Sequence, residues 1–456
     1  MVALPGSIAR VHGDQSLGSR GRSLAHGVCV TGAKGCNPYC RPADATPRSW
    51  DRSKALRFGA RIRRKNRPTC EHRVVARLLA LDLPAGAELV GALEDAWASG
   101  DAVMVVDQRL SAEARHDLID IVRPHGVVGP HRWPLDWEQL PELRDGDALV
   151  VPSSGSTGAP KMVVHTRAGL QAHAVAVHER LDVDPARDRW LACLPLAHLG
   201  GLGVVVRSLV TGVGLDLMDG FDADAVSGAP GRLGSTLVSV VPTVLDRIDV
   251  GRFRHVVVGG AADDVARPAN VVRTYGLTET GGGVVYDGRP IGDIEVEVDG
   301  SGMIRLRGST LARGVRAPNG DITALVDGDG WMTTGDRGRW SGDRLVVDGR
   351  ADDLIITGGE NVWPGPVESA LAAHPEVADV AVMGKVDPRW GQRVVAVVVA
   401  RDPARPPTLE DLRDHCSQVL PRWAAPRELL LVPSIARTSL GKVQRDALMR
   451  SASVER

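Results

Sequence analysis

From Val74 onward, apolar runs typical of buried strands alternate with stretches of helical periodicity. The strand-like runs are short, and they cover residues 102–106, 149–151, 237–241 and 255–258. The segment from Arg167 to Arg180 instead has the 3.6-residue period of a helix. Alternation of this kind predicts an α/β fold whose largely parallel sheet is covered by helices. Ligands of such folds bind beyond the carboxyl ends of the strands, so we expect the functional residues there.

After about residue 291 the pattern changes to short strands separated by Gly and Asp turns, at 294–298, 303–306 and 344–347. This predicts a β-rich subdomain. Beyond it we expect a compact α+β unit with helices and strands at 365–373, 377–383, 394–399 and 409–420. We place the domain boundary between residues 349 and 350. The prediction is therefore a large N-terminal domain over 74–349 and a small C-terminal domain over 350–456.

The first 73 residues have almost no apolar periodicity and carry fifteen Lys and Arg against four Asp and Glu. Such a composition favours a disordered basic extension. A nucleic-acid-binding arm and an Arg-rich leader are the alternatives. A further interpretation is that translation starts near Val74 or Val75.

The bulk composition, with 43% hydrophobic and 24% charged residues and a formal net charge of -1, is that of an ordinary globular protein. It gives no whole-chain signal for nucleic acid, and no apolar run approaches the roughly 18 residues of a membrane span. We therefore expect a cytoplasmic enzyme without stable membrane insertion. Four of the six cysteines lie in the first seventy residues, which argues against a disulfide framework, and their spacing lacks the paired knuckles of a structural zinc site.

A loop rich in small and hydroxylated residues follows the apolar run that ends at Val151. It contains Ser153, Ser154, Gly155, Ser156, Thr157, Gly158 and Lys161. Backbone N–H groups and hydroxyls of such a loop can surround a polyphosphate, and the lysine adds a cation. Only six of the 55 basic residues are lysines, and a second one, Lys442, lies on another Gly-containing loop. A flexible surface loop is the alternative for either segment.

Three further segments add nucleotide chemistry. The strand that ends at Gly259, Gly260 and Ala261 offers a flat floor for a planar base, on which Tyr275 can stack. Glu279 follows in Tyr275-Gly276-Leu277-Thr278-Glu279 as a hard oxygen ligand for Mg²⁺. Asp336, on a Thr-Gly turn, is suited to accept hydrogen bonds from a ribose diol, and a Gly-Arg-Ala-Asp-Asp segment begins at Gly349.

The order and spacing of these five segments resemble the adenylate-forming superfamily of acyl-CoA synthetases, adenylation domains and luciferases. Within it, the stretch 272–288 is most similar to actinobacterial o-succinylbenzoate:CoA ligases of menaquinone biosynthesis. The resemblance implies an AMP-forming ligase that uses ATP, Mg²⁺ and coenzyme A. It implies that the Ser153–Lys161 loop holds the β- and γ-phosphates and that Gly259, Gly260, Ala261 and Tyr275 frame adenine.

The same resemblance implies roles for the remaining residues. Thr278 would contact the α-phosphate and the carboxylate, Asp336 and Arg350 the ribose, and Lys442 would bridge the substrate carboxylate to the α-phosphate. Asp352 would be the hinge about which the C-terminal domain turns, and Gly358 and Gly359 would border the path of the CoA thiol. The acyl pocket would include His198, Gly200, Gly201, Gly281 and Gly282.

Two features depart from the family pattern. Met162 stands where the family usually has glycine, and the part upstream of Ser153 that we expect to be ordered, from Val74 on, has only about eighty residues. Another aryl- or acyl-CoA ligase, a free-standing adenylation domain and a non-catalytic nucleotide-binding protein remain as alternative functions. A small-molecule acid, ATP and CoA are the expected partners, a homodimer is possible on the family likeness, and no nucleic acid is expected.

Overall fold

The computed structural model describes, of the chain, the residues 8–10 (backbone), 76–133, 135, 143–153, 160–259, 267–317, 319–437, 443–445 and 448. The predicted extension lies outside these residues except for the backbone of one strand. The helices are α1 Ala87–Ser99, α2 Ala112–Val122, α3 Arg167–Arg180, α4 Leu199–Thr211, α5 Ala223–Leu233, α6 Pro242–Leu245, α7 Pro364–Ala372 and α8 Leu409–Cys416. Among the described residues, no helix is long and apolar enough to cross a membrane.

The strands of the N-terminal part are β1 Ile8–Arg10, β2 Leu78–Leu81, β3 Ala102–Val105, β4 Gly126–Val128, β5 Asp147–Ser153, β6 Lys161–Thr166, β7 Arg189–Ala192, β8 Gly214–Met218, β9 Leu237–Val240, β10 His255–Val258, β11 Val271–Leu277, β12 Gly282–Tyr286 and β13 Arg289–Pro290. The later strands are β14 Glu295–Val298, β15 Met303–Arg307, β16 Gly314–Arg316, β17 Ile322–Thr323, β18 Met332–Ser341, β19 Arg344–Arg350, β20 Ile355–Thr357, β21 Glu360–Val362, β22 Val377–Asp387, β23 Gly391–Ala400 and β24 Glu428–Leu431.

Two large mixed sheets form the N-terminal part. The first has the order β17-β16-β6-β5-β3-β2-β4, and the second has the order β1-β8-β7-β9-β10-β11-β12-β13. Helices α1, α3 and α4 contribute to a core cluster that contains strand residues of both sheets. The outer face of the first sheet packs on α2, and that of the second packs on α5 and α6. The predicted α/β class is confirmed.

The sheets are less parallel than the sequence pattern predicts. Strands β4, β2, β3 and β5 are parallel, but β6, β16 and β17 continue that sheet antiparallel. In the second sheet, β12 and β13 form an antiparallel edge. The turn after β5 is too short for a crossover helix, so β6 must return antiparallel to it.

The later strands form two further sheets. Strands β14, β15, β18 and β19 make the predicted β-rich subdomain, whose core cluster also includes Val284 and Val285 of β12. Strands β20 to β24 pack on α7 and α8 to form a separate α+β unit. Arg445 joins this unit to the segment after β19, because its Nη1 donates to Asp353 at 3.0 Å and its Nη2 donates to Glu368 at 2.7 Å.

Three element boundaries in the α+β unit were wrong by three or four residues. The strand expected to begin at Val394 begins at Gly391. The helix expected to reach Leu420 ends at Cys416, and i→i−3 bonds tighten the chain before Pro421. Pro421 disfavours the α conformation at the residue before it, Leu420, so the helix cannot extend to the expected end. The strand expected to stop at Met383 continues to Asp387, since the long β22–β23 hairpin carries its pairing beyond the apolar positions.

Candidate active site

The predicted adenine and ribose residues meet at the junction of the second sheet and the β-rich subdomain. Gly259 follows β10, and its N–H donates to Val240 at 3.2 Å. Tyr275 lies on the neighbouring β11, and its hydroxyl donates to Oδ2 of Asp336 at 2.8 Å. Asp336 is buried on β18 opposite Arg350 on β19, whose Nε lies 3.5 Å from Oδ1. Gly260 and Ala261 lie outside the described residues.

The buried charge of Asp336 is therefore satisfied by an aromatic hydroxyl and approached by an arginine. The N–H of Asp336 also donates to the hydroxyl of Thr334 at 3.1 Å, which fixes the backbone. Burial raises the pKa of Tyr275, and the Asp336 charge raises it further, so the phenol remains a hydrogen-bond donor at neutral pH. The arrangement presents a fixed carboxylate beside a half-buried aromatic ring.

Thr278 and Glu279 lie on a 3₁₀ turn, Thr278–Thr280, that follows directly from β11. The buried hydroxyl of Thr280 accepts from the N–H of Leu277 at 2.8 Å and donates to the carbonyl of Gly282 at 2.6 Å. The carbonyl of Glu279 accepts from the N–H of Ala312. These bonds hold the backbone of the turn, and both side chains of interest are partly exposed.

The loop predicted to hold phosphates joins β5 to β6. Its flanking residues Ser153 and Lys161 are paired across the two strands, and the Ser153 hydroxyl lies 3.5 Å from the Lys161 carbonyl. Lys161 is exposed. Met162, the departure from the family glycine, is buried in the core beneath α2, so this side chain points away from the loop. Residues 154–159, Ser154 to Ala159, lie outside the described part of the chain.

The predicted acyl-pocket residues flank α4. His198 precedes the helix, and its Nε2 lies 3.4 Å from Oδ2 of Asp107. Gly200 is exposed, but a Cβ at Gly201 would lie 2.3 Å from the carbonyl oxygen of Leu194. Only glycine permits this approach of the helix to the preceding loop.

Gly281 and Gly282, the other predicted pocket residues, lie where the 3₁₀ turn passes into β12. The carbonyl of the next residue, Gly283, accepts from Nε2 of His173 at 2.9 Å. His173 is buried on α3, and burial lowers its pKa to about 3, so the ring is neutral. Helix α4 contacts both α3 and β12, the elements that carry His173 and Gly282.

The comparison with known families assigns this arrangement. Residues 86–304 match the family described as AMP-binding enzyme, and residues 366–442 match the AMP-binding enzyme C-terminal domain. The chain is 43% identical to a probable 2-succinylbenzoate–CoA ligase of Mycobacterium tuberculosis over 332 residues, which is 68% of this chain and 85% of that protein. This chain is an AMP-binding enzyme.

Other relatives of this AMP-binding enzyme are also CoA ligases. It is 31% identical to an indoleacetate–CoA ligase of Aromatoleum aromaticum over 81% of this chain and 83% of that protein. Among solved structures, Escherichia coli MenE with a bound analogue of OSB-AMS is 26% identical, with a TM-score of 0.64 over 83% of this chain and 89% of that one. Bacillus subtilis o-succinylbenzoate CoA synthetase, in complex with the acyl-adenylate OSB-AMP, has a TM-score of 0.70 at 24% identity over 82% and 88%.

The structure of this AMP-binding enzyme brings some predicted residues together and leaves others apart. Gly259, Tyr275, Asp336 and Arg350 are connected by adjacent strands, and the turn with Thr278 and Glu279 contacts β6, the strand that begins at Lys161. Asp352 lies on an exposed 3₁₀ turn just after β19, and Gly358 and Gly359 form the tight turn between β20 and β21 in the α+β unit. Lys442 lies outside the described residues, so its predicted role remains untested.

A magnesium ion fits the chemistry of this site together with ATP. Among the described residues, no group of three or more His, Cys, Asp and Glu side chains could hold a metal. Mg²⁺ is usually bound by one or two carboxylates with substrate phosphates and water. Glu279, a single partly exposed carboxylate near the phosphate loop, is suited to that kind of site.

One buried charged residue was missed from the sequence. Arg207 lies on α4 and is only 5% exposed; its Nη2 donates to the hydroxyl of Ser239 at 3.1 Å, and its guanidinium lies 4.6 Å from the Trp190 ring. Its Nε has no hydrogen-bond partner, and burial lowers its pKa. The signal was available, because a lone charge within the apolar run 202–210 must be buried with that helix face.

Proposed function

We propose that this AMP-binding enzyme joins o-succinylbenzoate to coenzyme A in two steps, through an acyl-adenylate. The first step transfers AMP from ATP to the substrate carboxylate and releases pyrophosphate. In the second step the CoA thiol displaces AMP to form the thioester. The 43% identical probable 2-succinylbenzoate–CoA ligase supports this assignment.

The observation that carries the choice of acid is the buried Arg207. A buried guanidinium is stable only when an anion or several acceptors compensate it. Among the described residues, no carboxylate is found in an ion pair with Arg207, and its Nε has no hydrogen-bond partner. o-Succinylbenzoate has two carboxylates, so one can react while the other stays an anion that pairs with Arg207.

The nucleotide part of the site has a consistent division of roles. Tyr275 and Gly259 border the adenine position, and Asp336 with Arg350 faces the ribose. The substrate carboxylate and the α-phosphate are both anionic, so the reaction needs a cation that bridges them. Lys442 has this role in our proposal, and Thr278 contributes a hydroxyl beside it.

The proposed binding site for CoA lies at the β20–β21 turn. Gly358 donates its N–H to the carbonyl of Trp390 at 2.8 Å, and the Trp390 ring lies 3.9 Å from the guanidinium of Arg427 and 5.0 Å from that of Arg389. Two glycines leave room for a narrow pantetheine chain, and the arginines provide cations for the phosphates of CoA.

The test is thioester formation with ATP, CoA and a panel of o-succinylbenzoate, benzoate, indoleacetate and medium-chain fatty acids. We expect the highest kcat/KM for o-succinylbenzoate. Arg207→Met, which keeps the apolar volume but removes the charge, lowers that value by about 10- to 100-fold, the usual cost of losing a charged hydrogen bond. The monocarboxylates lose much less.

Arg207→Lys is the matched comparison, because it keeps the charge but loses the planar fork. We expect it to retain part of the preference for the dicarboxylate. An Arg207→Met enzyme with unchanged kcat/KM for o-succinylbenzoate would exclude the assigned role. A wild-type preference for indoleacetate would favour the second candidate, an aryl monocarboxylate ligase, which the Aromatoleum aromaticum relative supports.

Lys442 is tested separately in the two half-reactions. Lys442→Ala abolishes acid-dependent pyrophosphate exchange but leaves thioester formation from supplied acyl-adenylate, because the bridging cation is needed only in the first step. Equal loss of both half-reactions contradicts this role. Location in the cytoplasm and homodimer formation remain predictions from the sequence.

A further inference from the structure

His198 precedes α4, where the family resemblance implies the acyl pocket, and a carboxylate from the other large sheet approaches its ring. Asp107 follows β3, and its Oδ2 lies 3.4 Å from Nε2 of His198. The His198 side chain is 22% exposed and that of Asp107 is 11% exposed, so the pair is largely shielded from water. We propose that Asp107 is a positioning residue, which holds the His198 imidazole at the pocket and thereby sets the affinity for the carboxylic acid. This inference rests on the proposed function.

The carboxylate of Asp107 has a fixed orientation before any substrate binds. The backbone N–H of Arg109 donates to Oδ1 at 3.0 Å, and the Arg109 guanidinium donates to Oδ1 at 2.8 Å and to Oδ2 at 2.6 Å. Burial raises the pKa of Asp107, but hydrogen bonds from Arg109 and His198 lower it more, so the group is ionised at neutral pH. A bidentate arginine contact of this kind restricts rotation of the carboxylate.

The loop that carries Asp107 is fixed as well. Its neighbour Gln108 donates from Nε2 to Asp82 at 2.9 Å and to the carbonyl of Val106 at 3.2 Å. Asp82 is buried at the end of β2, where Arg115 also donates to it at 3.3 Å. The loop therefore provides a rigid support at the carboxyl ends of β2 and β3.

The backbone of His198 is held independently of its side chain. Its carbonyl accepts from the N–H of Gly201 at 3.0 Å and from that of Leu202 at 2.8 Å, which starts helix α4. These backbone bonds do not fix the two side-chain torsions that orient the imidazole. Asp107 restricts rotation about them, and it favours the tautomer in which Nε2 carries the hydrogen and Nδ1 is the acceptor.

A merely structural role for Asp107 in its loop makes a different prediction. Loss of a loop contact would lower the melting temperature and reduce the affinities for ATP and the acid together. A positioning role acts through His198 alone, so it changes the KM for the acid and not that for ATP. It also requires that the effects of substituting Asp107 and His198 are not independent.

The experiment is a double-mutant cycle on the full chain, with KM for the acid and for ATP measured in the adenylation step. Asp107→Ala raises the KM for the acid by about tenfold, as expected for loss of a hydrogen bond to a charged group, and leaves the KM for ATP within about twofold. Adding Asp107→Ala to His198→Ala raises it no further than about twofold. Multiplicative effects in the double variant, or equal changes in both KM values, would overturn the proposal.

Two further variants keep the test decisive. Asp107→Asn preserves the shape of the side chain if the alanine variant does not fold, and it gives the same pattern with a smaller change. Asp120→Asn is the matched control, because Asp120 pairs with His116 at 3.5 Å on the exposed face of α2. We expect wild-type KM values from this control. The cycle uses whichever acid the wild-type enzyme adenylates best, so failure of o-succinylbenzoate as the substrate would not be mistaken for failure of the Asp107 role.

Discussion

The hydroxyl of Tyr275 links the residues predicted to bind adenine and ribose, because it donates to Asp336 at 2.8 Å. Tyr275→Phe keeps the ring but leaves the buried Asp336 carboxylate one donor short. We expect the KM for ATP to rise about five- to tenfold, the usual cost of a lost hydrogen bond to a charged acceptor, while kcat changes little. Steady-state kinetics with saturating acid and CoA measure this.

The KM for CoA is the internal control in the same experiment, since Tyr275 does not contact the β20–β21 turn. An unchanged KM for ATP in Tyr275→Phe would show that Arg350 alone orients the carboxylate. Tyr275→Ala, which removes the stacking surface as well, is expected to raise the KM for ATP further.

The sequence could predict single residues that lie on one local motif, such as Tyr275 with Glu279. It could not predict the pairs that bridge separate sheets. Asp107 and His198 lie 91 residues apart (198 minus 107), and no local pattern connects a loop after β3 to the start of α4. Arg207 was detectable as a lone charge in an apolar run, but its neighbours Ser239 and Trp190 were not.

The β20–β21 hairpin offers a prediction at the scale of an element. Gly358 and Gly359 both have positive φ, of 62° and 86°, so alanine costs about 1 kcal/mol or more of backbone strain at either position. They differ in their surroundings, because a Cβ at Gly358 would lie 2.9 Å from the Trp390 ring, whereas one at Gly359 meets nothing within 4 Å. Gly358→Ala must therefore displace Trp390.

We expect Gly358→Ala to slow thioester formation from supplied acyl-adenylate at least about tenfold more than Gly359→Ala does, with acid-dependent pyrophosphate exchange retained in both. The reason is that only the first variant moves the tryptophan and its two arginines. Gly359→Ala serves as the control for strain. Equal rates in the two variants would argue against a role of Trp390 in the CoA half-reaction.

Elements with strong local signals were predictable, and their ends were less so. Helix α3 has the bounds expected from its periodicity, because the hydroxyl of Thr166 caps it by accepting from Gly169 at 3.1 Å. The end of α8 was missed because the helical periodicity of the sequence continues past Cys416. The helix itself does not, since Pro421 disfavours the α conformation at the residue before it. The extension of β22 depends on a partner strand, which periodicity alone does not supply.

The order of strands within the two large sheets is a property of the whole molecule. Alternating strands and helices predicted an α/β protein, and this is confirmed, but the antiparallel returns at β6 and β12 depend on which strand edges are free after the parallel strands have paired. These pairings join segments as distant as β6 and β16. Local periodicity contains no information about such partners.

Three buried histidines make the stability of the whole fold depend on pH. Burial lowers the pKa of His165 to about 4, of His173 to about 3 and of His178 to about 4. Nε1 of Trp190 donates to Nε2 of His178 at 3.0 Å, which requires that nitrogen to be unprotonated. The unfolded chain binds a proton on each histidine near the ordinary pKa of 6.5, so it binds more protons than the native state between about pH 6.5 and pH 4.

The free energy of unfolding therefore rises with pH through this window. The contribution of these histidines decreases as the pH falls below about 6.5. Between pH 7 and pH 5 the loss is about 1–2 kcal/mol for each buried histidine. Denaturant titrations at several pH values measure the slope, and His178→Gln, whose amide oxygen can still accept from Trp190, reduces it by nearly one proton. A slope that is the same in wild type and His178→Gln would mean that His178 is already protonated in the folded protein near neutral pH, contrary to the hydrogen bond that it accepts.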